Sequence, residues 1–560
     1  MEHNPLHIVE IIERISEYLT LSDRASCLLV SRAFYAALVS QVWRTINLTR
    51  HHSAKGRLSF PTGATLQHHK IHIRELCFRG AYPPEYLPLL DCPKLQALLM
   101  HRTSDDPFGT NLNQNLIGFL TLVRTYSSVL RNVTLYLNTE DFIPSEDLWT
   151  ALAQCPHLYE LNLRGFKVPY AIIPQFLQAC SRPEVLNIES IFMPRDSFTS
   201  SFPDGTDKDL VITGGPRELT MIGYSDKFPR ISAEGQSTMI RKFRNLESLY
   251  WRGAEGAASL HSTLQKQSLR DIHDHRFLAA LSKDPWPLHA LHSLDFSDGS
   301  MEDEDLAALL NQIHRLKTLK ATRTRFGQSC LQALTTKRII CGENGDTKRY
   351  GDQRLRRHCD SIETLLVNYC IGVTGTMIQQ LLECCPKLIN LAAGRITVAE
   401  IAAGHLWVCR EMRRLEIDLD AGDGGKYFTD DHNQGTSEFS ESQRCVYSRL
   451  NTLTKLQKLV LSQYSGRKRG EALDLRLKAG LDLLTDLKDL RELSFDTLVP
   501  QMMDIEEASW VIENWPRIEC MKGFRTSNKE VCELMKAIIN PANLITLGQV
   551  YCREKIQRLK

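Results

Sequence analysis

The run Leu158-Tyr159-Glu160-Leu161-Asn162-Leu163 decides how the rest of the chain reads. Apolar residues hold its first, fourth and sixth positions. Its second half alternates apolar and polar, the period of a strand with one buried face. The same phrase starts again at Ile73, Leu130, Leu246, Leu291, Ile362, Met412, Leu456 and Leu490. Weaker copies start at Leu95, Pro183, Pro216, Leu269, Leu316, Leu388, Ile518 and Leu544. Starts at 130, 158 and 183 are 28 and 25 residues apart, and those at 362, 388 and 412 are 26 and 24 apart. One such phrase arises often by chance, but this many copies on one beat do not.

A beat of roughly 20–29 residues is the leucine-rich-repeat period. The stretch ahead of a phrase often carries helical spacing, as in 146–154, 301–313 and 376–385. Three of these stretches end in a cysteine-proline pair, at Cys92, Cys155 and Cys385, and proline cannot continue a helix. Each unit is then a helix, a tight turn and a short strand. The expected class is α/β, a βα solenoid (horseshoe) over residues 71–560 with its strands on the concave side. Two gaps of 46 and 44 residues between phrases mark inserted loops at 340–357 and 421–444.

The first 46 residues follow another rule. Ile8, Ile11, Ile12, Ile15 and Leu19 share one helical face. A break follows at Thr20–Asp23, with Ser22 as an N-cap candidate. Ala25, Leu28 and Leu29 give a second stripe, and Phe34, Leu38 and Val42 a third. The expectation is a three-helix unit over 1–46, a junction over 47–70, and then the repeats. So small a unit, with Cys27 as its single cysteine, cannot bury enough surface alone and needs an apolar partner.

Composition narrows the function classes. The chain has 560 residues, 42% of them apolar and 24% charged, an ordinary folding composition. Lysine and arginine total 68 against 66 acidic residues, a net charge of +2. That balance argues against a protein that grips nucleic-acid phosphates. No apolar run approaches the roughly 20 residues of a membrane span. Met1–Glu10 shows no secretory leader, so the sixteen cysteines read as reduced, mostly buried thiols of a cytoplasmic or nuclear protein.

The N-terminal unit resembles an F-box. That pattern opens on Leu-Pro-x-Glu-Ile, runs to Ile-x-x-x-Leu, an Asp and Val-Cys-Arg-x-Trp, and ends near Leu-Trp. Here these positions read Ile8-Val9-Glu10-Ile11, Ile15 to Leu19, Asp23, Val30-Ser31-Arg32-Ala33-Phe34 and Val42-Trp43. Val9 stands where proline is usual and Phe34 where tryptophan is common. The whole chain is similar to the divergent F-box leucine-rich-repeat proteins frequent in fungi. The resemblance implies a non-catalytic subunit of a Skp-cullin-F-box (SCF) ubiquitin ligase. Its head would bind the Skp-type adaptor, and through it a cullin-RING ligase, while the repeats hold an unknown protein substrate. The alternative is a repeat scaffold that no longer recruits a ligase.

For the adaptor the candidate residues are Ile8, Val9, Ile12, Leu19, Leu29, Val30, Phe34 and Trp43, although some of these must be simple core. For the substrate, the odd positions of each phrase point off the strand face. The candidates are Asn162, Arg164, Tyr250, Arg252, Asp295, Asn368, Glu416 and Asp418. Tyr250 and Arg252 are types enriched at binding hot spots. Glu416, Asp418, Glu492 and Asp496 make the last repeats read as acidic. Solvent-facing strand residues are polar in any case, so the bland reading competes at every position.

No metal, cofactor or catalytic site is expected. After Asp418 and Asp420, Asp423 and Thr429 occupy the places where a calcium loop needs glycine and glutamate. The run Cys341 to Lys348 lacks the phosphate-loop spacing. His358, Cys359, Cys384, Cys385 and Cys409 show no paired ligand spacing, and His68, His69 and His72 read as a junction cluster. Neither G-x-S-x-G nor G-x-G-x-x-G occurs.

Overall fold

The computed structural model of the protein describes residues 9–49, 63–79, 91–102, 112–137, 142–193, 215–222, 239–240, 243, 245–252, 290–297, 302–313, 315–339, 355–420, 437–461, 473, 476–495, 501–502, 504–522, 524–525, 530–531 and 534. The chain divides into two compact units, Met1–Tyr250 with Ala254–Ala257, and Trp251–Gly253 with Ala258–Lys560. In the first, parallel strands run in chain order. They are β1 (Thr45–Thr49), β2 (Glu75–Arg79), β3 (Ala97–His101), β4 (Asn132–Tyr136), β5 (Glu160–Lys167), β6 (Val185–Phe192), β7 (Glu218–Ile222) and β8 (Ser248–Arg252), which lies at the division. The second unit holds β9 (Ser293–Asp295), β10 (Thr318–Lys320), β13 (Thr364–Leu366), β14 (Asn390–Thr397), β15 (Arg414–Asp420), β16 (Lys458–Leu461), β17 (Glu492–Phe495) and β19 (Cys520–Lys522), again parallel and in order. Two short pairs stand apart: β11 (Arg338–Ile339) with β12 (Leu355–Arg356), and β18 (Gln501–Met502) with β20 (Phe524–Arg525).

Every phrase on described residues has become a strand of these sheets, the weak copies included. The copies at Leu269 and Leu544 lie outside the described residues. The fourth and sixth positions point inward: Leu161, Leu163, Leu186, Leu294, Leu365 and Leu391 are buried. Burying each such side chain stabilises the fold by roughly 1.5–3 kcal/mol. Helices precede many strands, at Glu146–Ala153, Asp303–Leu310 and Gly375–Cys384 among others. The alternation is that of leucine-rich-repeat units.

A backbone device repeats with the phrase. The carbonyl at position two accepts N–H groups from positions two and three of the next phrase. Tyr159 and Glu160 donate to Arg131 O at 2.7 and 2.9 Å, Ile389 and Asn390 to Glu363 O at 2.8 and 3.0 Å, and Arg491 and Glu492 to Gln457 O at 2.8 and 3.0 Å. Arg74 and Glu75 donate in the same way to Arg44 O. That last lock exposes a phrase hidden in the N-terminal segment, Trp43, Ile46 and Leu48, thirty residues ahead of Ile73. The sheet therefore begins at Thr45, and no separate junction starts at residue 47.

Three residues before a phrase, a buried side chain closes the helix-to-strand turn. Cysteine fills this place at Cys92, Cys155, Cys180, Cys359, Cys385 and Cys409, all essentially inaccessible. Trp515 fills it once, with its Nε1 donating to Leu484 O at 3.1 Å. Burial pushes the thiols of Cys92 and Cys155 up to about 11 and that of Cys409 to about 12. A second recurring place lies two residues after the sixth position. There the backbone turns left-handed at Gly165 (φ 73°), Ser190 (φ 51°), Arg323 (φ 58°) and Tyr369 (φ 63°). Glycine adopts this freely, whereas other residues lose about 1–2 kcal/mol.

Adjacent helices are tied by side chains. The Asp303 carboxylate accepts from the N–H groups of Gly327, Ser329 and Cys330 at 2.7, 2.6 and 3.0 Å. It thus caps helix Gln328–Thr335 from the preceding helix. Burial opposes its ionisation, but hydrogen bonds from Cys330 and Ser329 outweigh that and hold the carboxyl below its usual range.

The two expected insertions differ. The stem of 340–357 is closed by the antiparallel pair β11–β12, and residues 340–354 lie outside the described residues. In 421–444, the end is not loop: residues from 437 onward belong to helix Ser437–Asn451. Its apolar anchors Val446, Tyr447 and Leu450 fall in its second half, so the polar first half shows no periodicity. Buried Arg449 then donates to the carbonyls of Gly404 and His405, at the end of helix Val398–Ala403.

Two outcomes follow from this architecture. A thiol reagent at mildly alkaline pH is expected to modify half-buried Cys27 well before Cys92, Cys155, Cys180 and Cys409, all reacting after denaturation. Mass spectrometry of timed samples reads this, and early labelling of Cys155 would refute the closed turn. Asp303→Ala should lower stability by about 1–2 kcal/mol at neutral pH, as loss of a helix cap does. Because the folded carboxyl is depressed, its contribution is complete above about pH 4 and fades as pH falls through the lower folded value. Urea unfolding of both proteins at neutral and acid pH should therefore show the gap closing in acid.

Candidate functional site

Two surfaces concern function, the N-terminal head and the polar face of the strands. The head comprises α1 (Val9–Ser16), α2 (Leu21–Cys27) and α3 (Arg32–Val42). The cap of α2 is Thr20, not Ser22. Thr20 Oγ1 accepts from the N–H of Asp23 at 3.2 Å, and the Asp23 carboxylate accepts from the N–H of Thr20 at 3.3 Å. This reciprocal box needs its carboxylate three residues on, which Thr20 has. Ser31 caps α3, accepting from the N–H of Phe34 at 3.3 Å.

The head has a very small core of Ile12, Ala37 and Leu38, against which Cys27, Leu28, Ala33 and Phe34 pack. Ile12 is 1% exposed, so this candidate lies inside the head and not on its surface. Leu19 and Phe34 are half-buried. Leu29 and Val30 are 89% and 67% exposed, and Val9, Ile11, Ile15, Tyr18, Leu21 and Tyr35 are exposed as well. Ile8 lies outside the described residues. Trp43 ends α3 and stacks on His69, ring centres 4.1 Å apart and planes 14° apart. Among the described residues of the head, more large apolar side chains are exposed than buried.

On the strand face of the first unit, asparagines run across neighbouring strands. Asn162 Nδ2 donates to Thr134 Oγ1 and Glu160 at 3.0 Å each, and Asn187 Nδ2 donates to Asn162 Oδ1 at 2.5 Å. Asn162 is therefore engaged in holding the sheet. Beyond this ladder, His101 packs edge-on against Tyr136 at 4.8 Å, and Arg164 lies over the Tyr136 ring at 5.9 Å. Arg164 also pairs with Glu189 at 3.1 Å. Burial lifts the Glu189 carboxyl, with Arg164 working against the shift. Tyr250 is half-buried and ends the first unit's share of β8, and half-buried Arg252 follows in the second.

In the second unit, Asp295 pairs with Lys320 at 3.3 Å, and Asn368 accepts from the Thr322 hydroxyl at 2.9 Å. Glu416 meets Arg414 at 2.8 Å and Lys458 at 3.6 Å, and Glu492 meets Lys458 at 3.0 Å and Lys522 at 3.3 Å. The Glu492 carboxyl sits below its usual range: burial opposes ionisation, and the two lysines outweigh it. Among the described residues of the late repeats, lysines from adjacent strands interleave with the glutamates, so the face expected to be acidic is mixed in charge there; Asp496 lies outside the described residues. Asp418 is half-buried beside them.

The order of exposure within these pairs is uniform. In these pairs among the described strand residues, the cation is the more exposed. Lys320 is 42% exposed against 16% for Asp295, and Arg395 57% against 5% for Asp420. The same order holds for the pairs of Arg164, Arg414, Lys458 and Lys522. Off the strands the order varies: the carboxylate is the more exposed in Arg357–Asp360, Arg444–Asp482 and Arg491–Glu519, and the cation in Arg217–Glu247, Arg325–Glu302 and Arg517–Asp489.

Among the described residues no group of three or more metal-ligating side chains gathers, and no helix is long and apolar enough to cross a membrane. No family model matches the chain, and no curated protein does. Among solved structures, a crystal structure of a TLR13-ssRNA13 complex is similar, with a TM-score of 0.30 and 10% identity over 86% of this chain and 80% of that one. A likeness at that level carries no argument about function, and the fold stands on its own strand register.

Proposed function

We propose that this chain is a non-catalytic substrate-recognition subunit of an SCF-type ubiquitin ligase. The head takes the role of an F-box and docks on a Skp-type adaptor linked to a cullin-RING ligase. The repeats hold a protein substrate, and ubiquitin transfer is promoted by proximity on another subunit. The observation that carries this is the head's imbalance, a three-residue core beneath a surface led by Leu29, Val30, Tyr18 and Leu21. Exposed apolar surface of that kind on a helical unit suits a protein partner. The rival, a scaffold without a ligase, keeps its place through Val9, where the F-box pattern has proline.

The test is co-purification of the full chain with a Skp-type adaptor. Leu29→Glu combined with Val30→Glu should weaken capture about thirtyfold or more, as loss of a central apolar anchor does. Both side chains are exposed, so helix content should not change. Ile12→Glu serves as the contrast, expected to disrupt the head itself. Capture unchanged by the double substitution, or no capture by the unaltered protein, would sink the ligase reading. Capture of adaptor without cullin would favour the scaffold.

A further inference from the structure

The second unit places two bulky side chains where its backbone favours glycine. Arg323 and Tyr369 hold equivalent positions after successive strands, both left-handed, where Gly165 stands in the first unit. Such strain persists where something other than stability requires the side chains. Here the side chains meet, with the Arg323 guanidinium over the Tyr369 ring, 5.5 Å from its centre. The Arg323 N–H donates to Asn368 O at 3.1 Å, beside the Thr322–Asn368 hydrogen bond, so the pair is fixed from below. Both residues are exposed, and Ile371, two positions on, is 94% exposed. Lys320 and Arg395 project past their deeper carboxylates on the neighbouring strands.

We propose that this strand-exit edge, with the Arg323–Tyr369 pair, Ile371 and the outward cations, binds an acidic peptide segment carrying an apolar side chain. The proposal rests on the reading of the repeats as the substrate-holding part and gives that substrate a chemistry. A guanidinium stacked on a ring is already oriented, so it meets a carboxylate at a smaller entropic cost. The apolar side chain of the peptide covers Tyr369 and Ile371. A peptide suits this edge better than a nucleic acid. Ile371, 94% exposed, offers an apolar contact that a peptide side chain can use and no stacking plane for a base, and oligothymidylate tests the alternative.

The test uses the full chain and labelled short peptides in three pools of equal length, rich in aspartate, glutamate and leucine, in lysine and leucine, or in serine and glycine. Oligothymidylate is the nucleic-acid probe. The acidic pool should bind, and more weakly as salt is added. Arg323→Gly and Tyr369→Gly should each weaken binding about tenfold or more while thermal stability is unchanged or higher, since glycine relieves the left-handed backbone. A merely structural role would give the stability gain with binding intact. Arg491→Glu, off the strands, should leave binding as it was. Preference for the lysine pool or for oligothymidylate, no binding of any pool, or full binding by both glycine variants would overturn the proposal. Adaptor capture by the same variants should be unaffected, so failure here and failure of the ligase reading are told apart.

Discussion

The structure depends on one shared acceptor, the position-two carbonyl that takes two N–H groups from the next phrase. It recurs from Arg44 O to Arg491 O. Parallel strands have no hairpin turn to fix their register. Within each unit this forked bond does so by tying the start of a strand to the start of its neighbour. The stakes are high, because a slip of one residue would send Leu161 and Leu163 to solvent and Asn162 and Arg164 to the core. With the register set, the interior positions stack, and so do the polar ones. Asn162 reaches Thr134 and Asn187, and Lys458 reaches both Glu416 and Glu492, because all of them start from the same reference point.

The same logic explains which parts of the fold were legible in sequence. Positions four and six of a phrase carry the burial, so even Pro183 and Pro216 could open strands without leucine. The phrase at Trp43 is hidden in the sequence because Trp43 also closes the apolar stripe of α3. The cap at Thr20 was one carboxylate away from recognition, since Ser22 lacks an acidic residue three positions on. The helix over 437–444 was hidden because its anchors lie beyond that segment. Each miss has a local cause, with tertiary packing deciding between patterns that coexist in the chain.

The site was less legible, and for a different reason. Charge on the strand face is arranged between repeats, across 25 to 42 residues of sequence, so a list of one strand's residues gives the wrong sign. Glu416 and Glu492 read as acidic only while Lys458 and Lys522 are out of view. Arg323 and Tyr369 carried no signal in the sequence. Gly80, Gly165, Gly223 and Gly253 occupy the same phrase position, but so do Arg50, Arg102, Arg395 and Arg525, so residue type alone does not reveal a left-handed backbone there.

The hidden first phrase also bears on how the head could act. The Trp43 N–H donates to Val39 O at 3.1 Å as the end of α3, and two residues later β1 begins. The Trp43 ring stacks on His69, whose imidazole is held below its usual range by burial and by His68 and His72. A neutral ring therefore faces the indole at neutral pH. No flexible linker separates α3 from the first strand. For a subunit proposed to work by proximity, that continuity matters. A partner docked on Leu29 and Val30 would fix the direction of β1, and the forked carbonyls would carry that direction from strand to strand through the first unit.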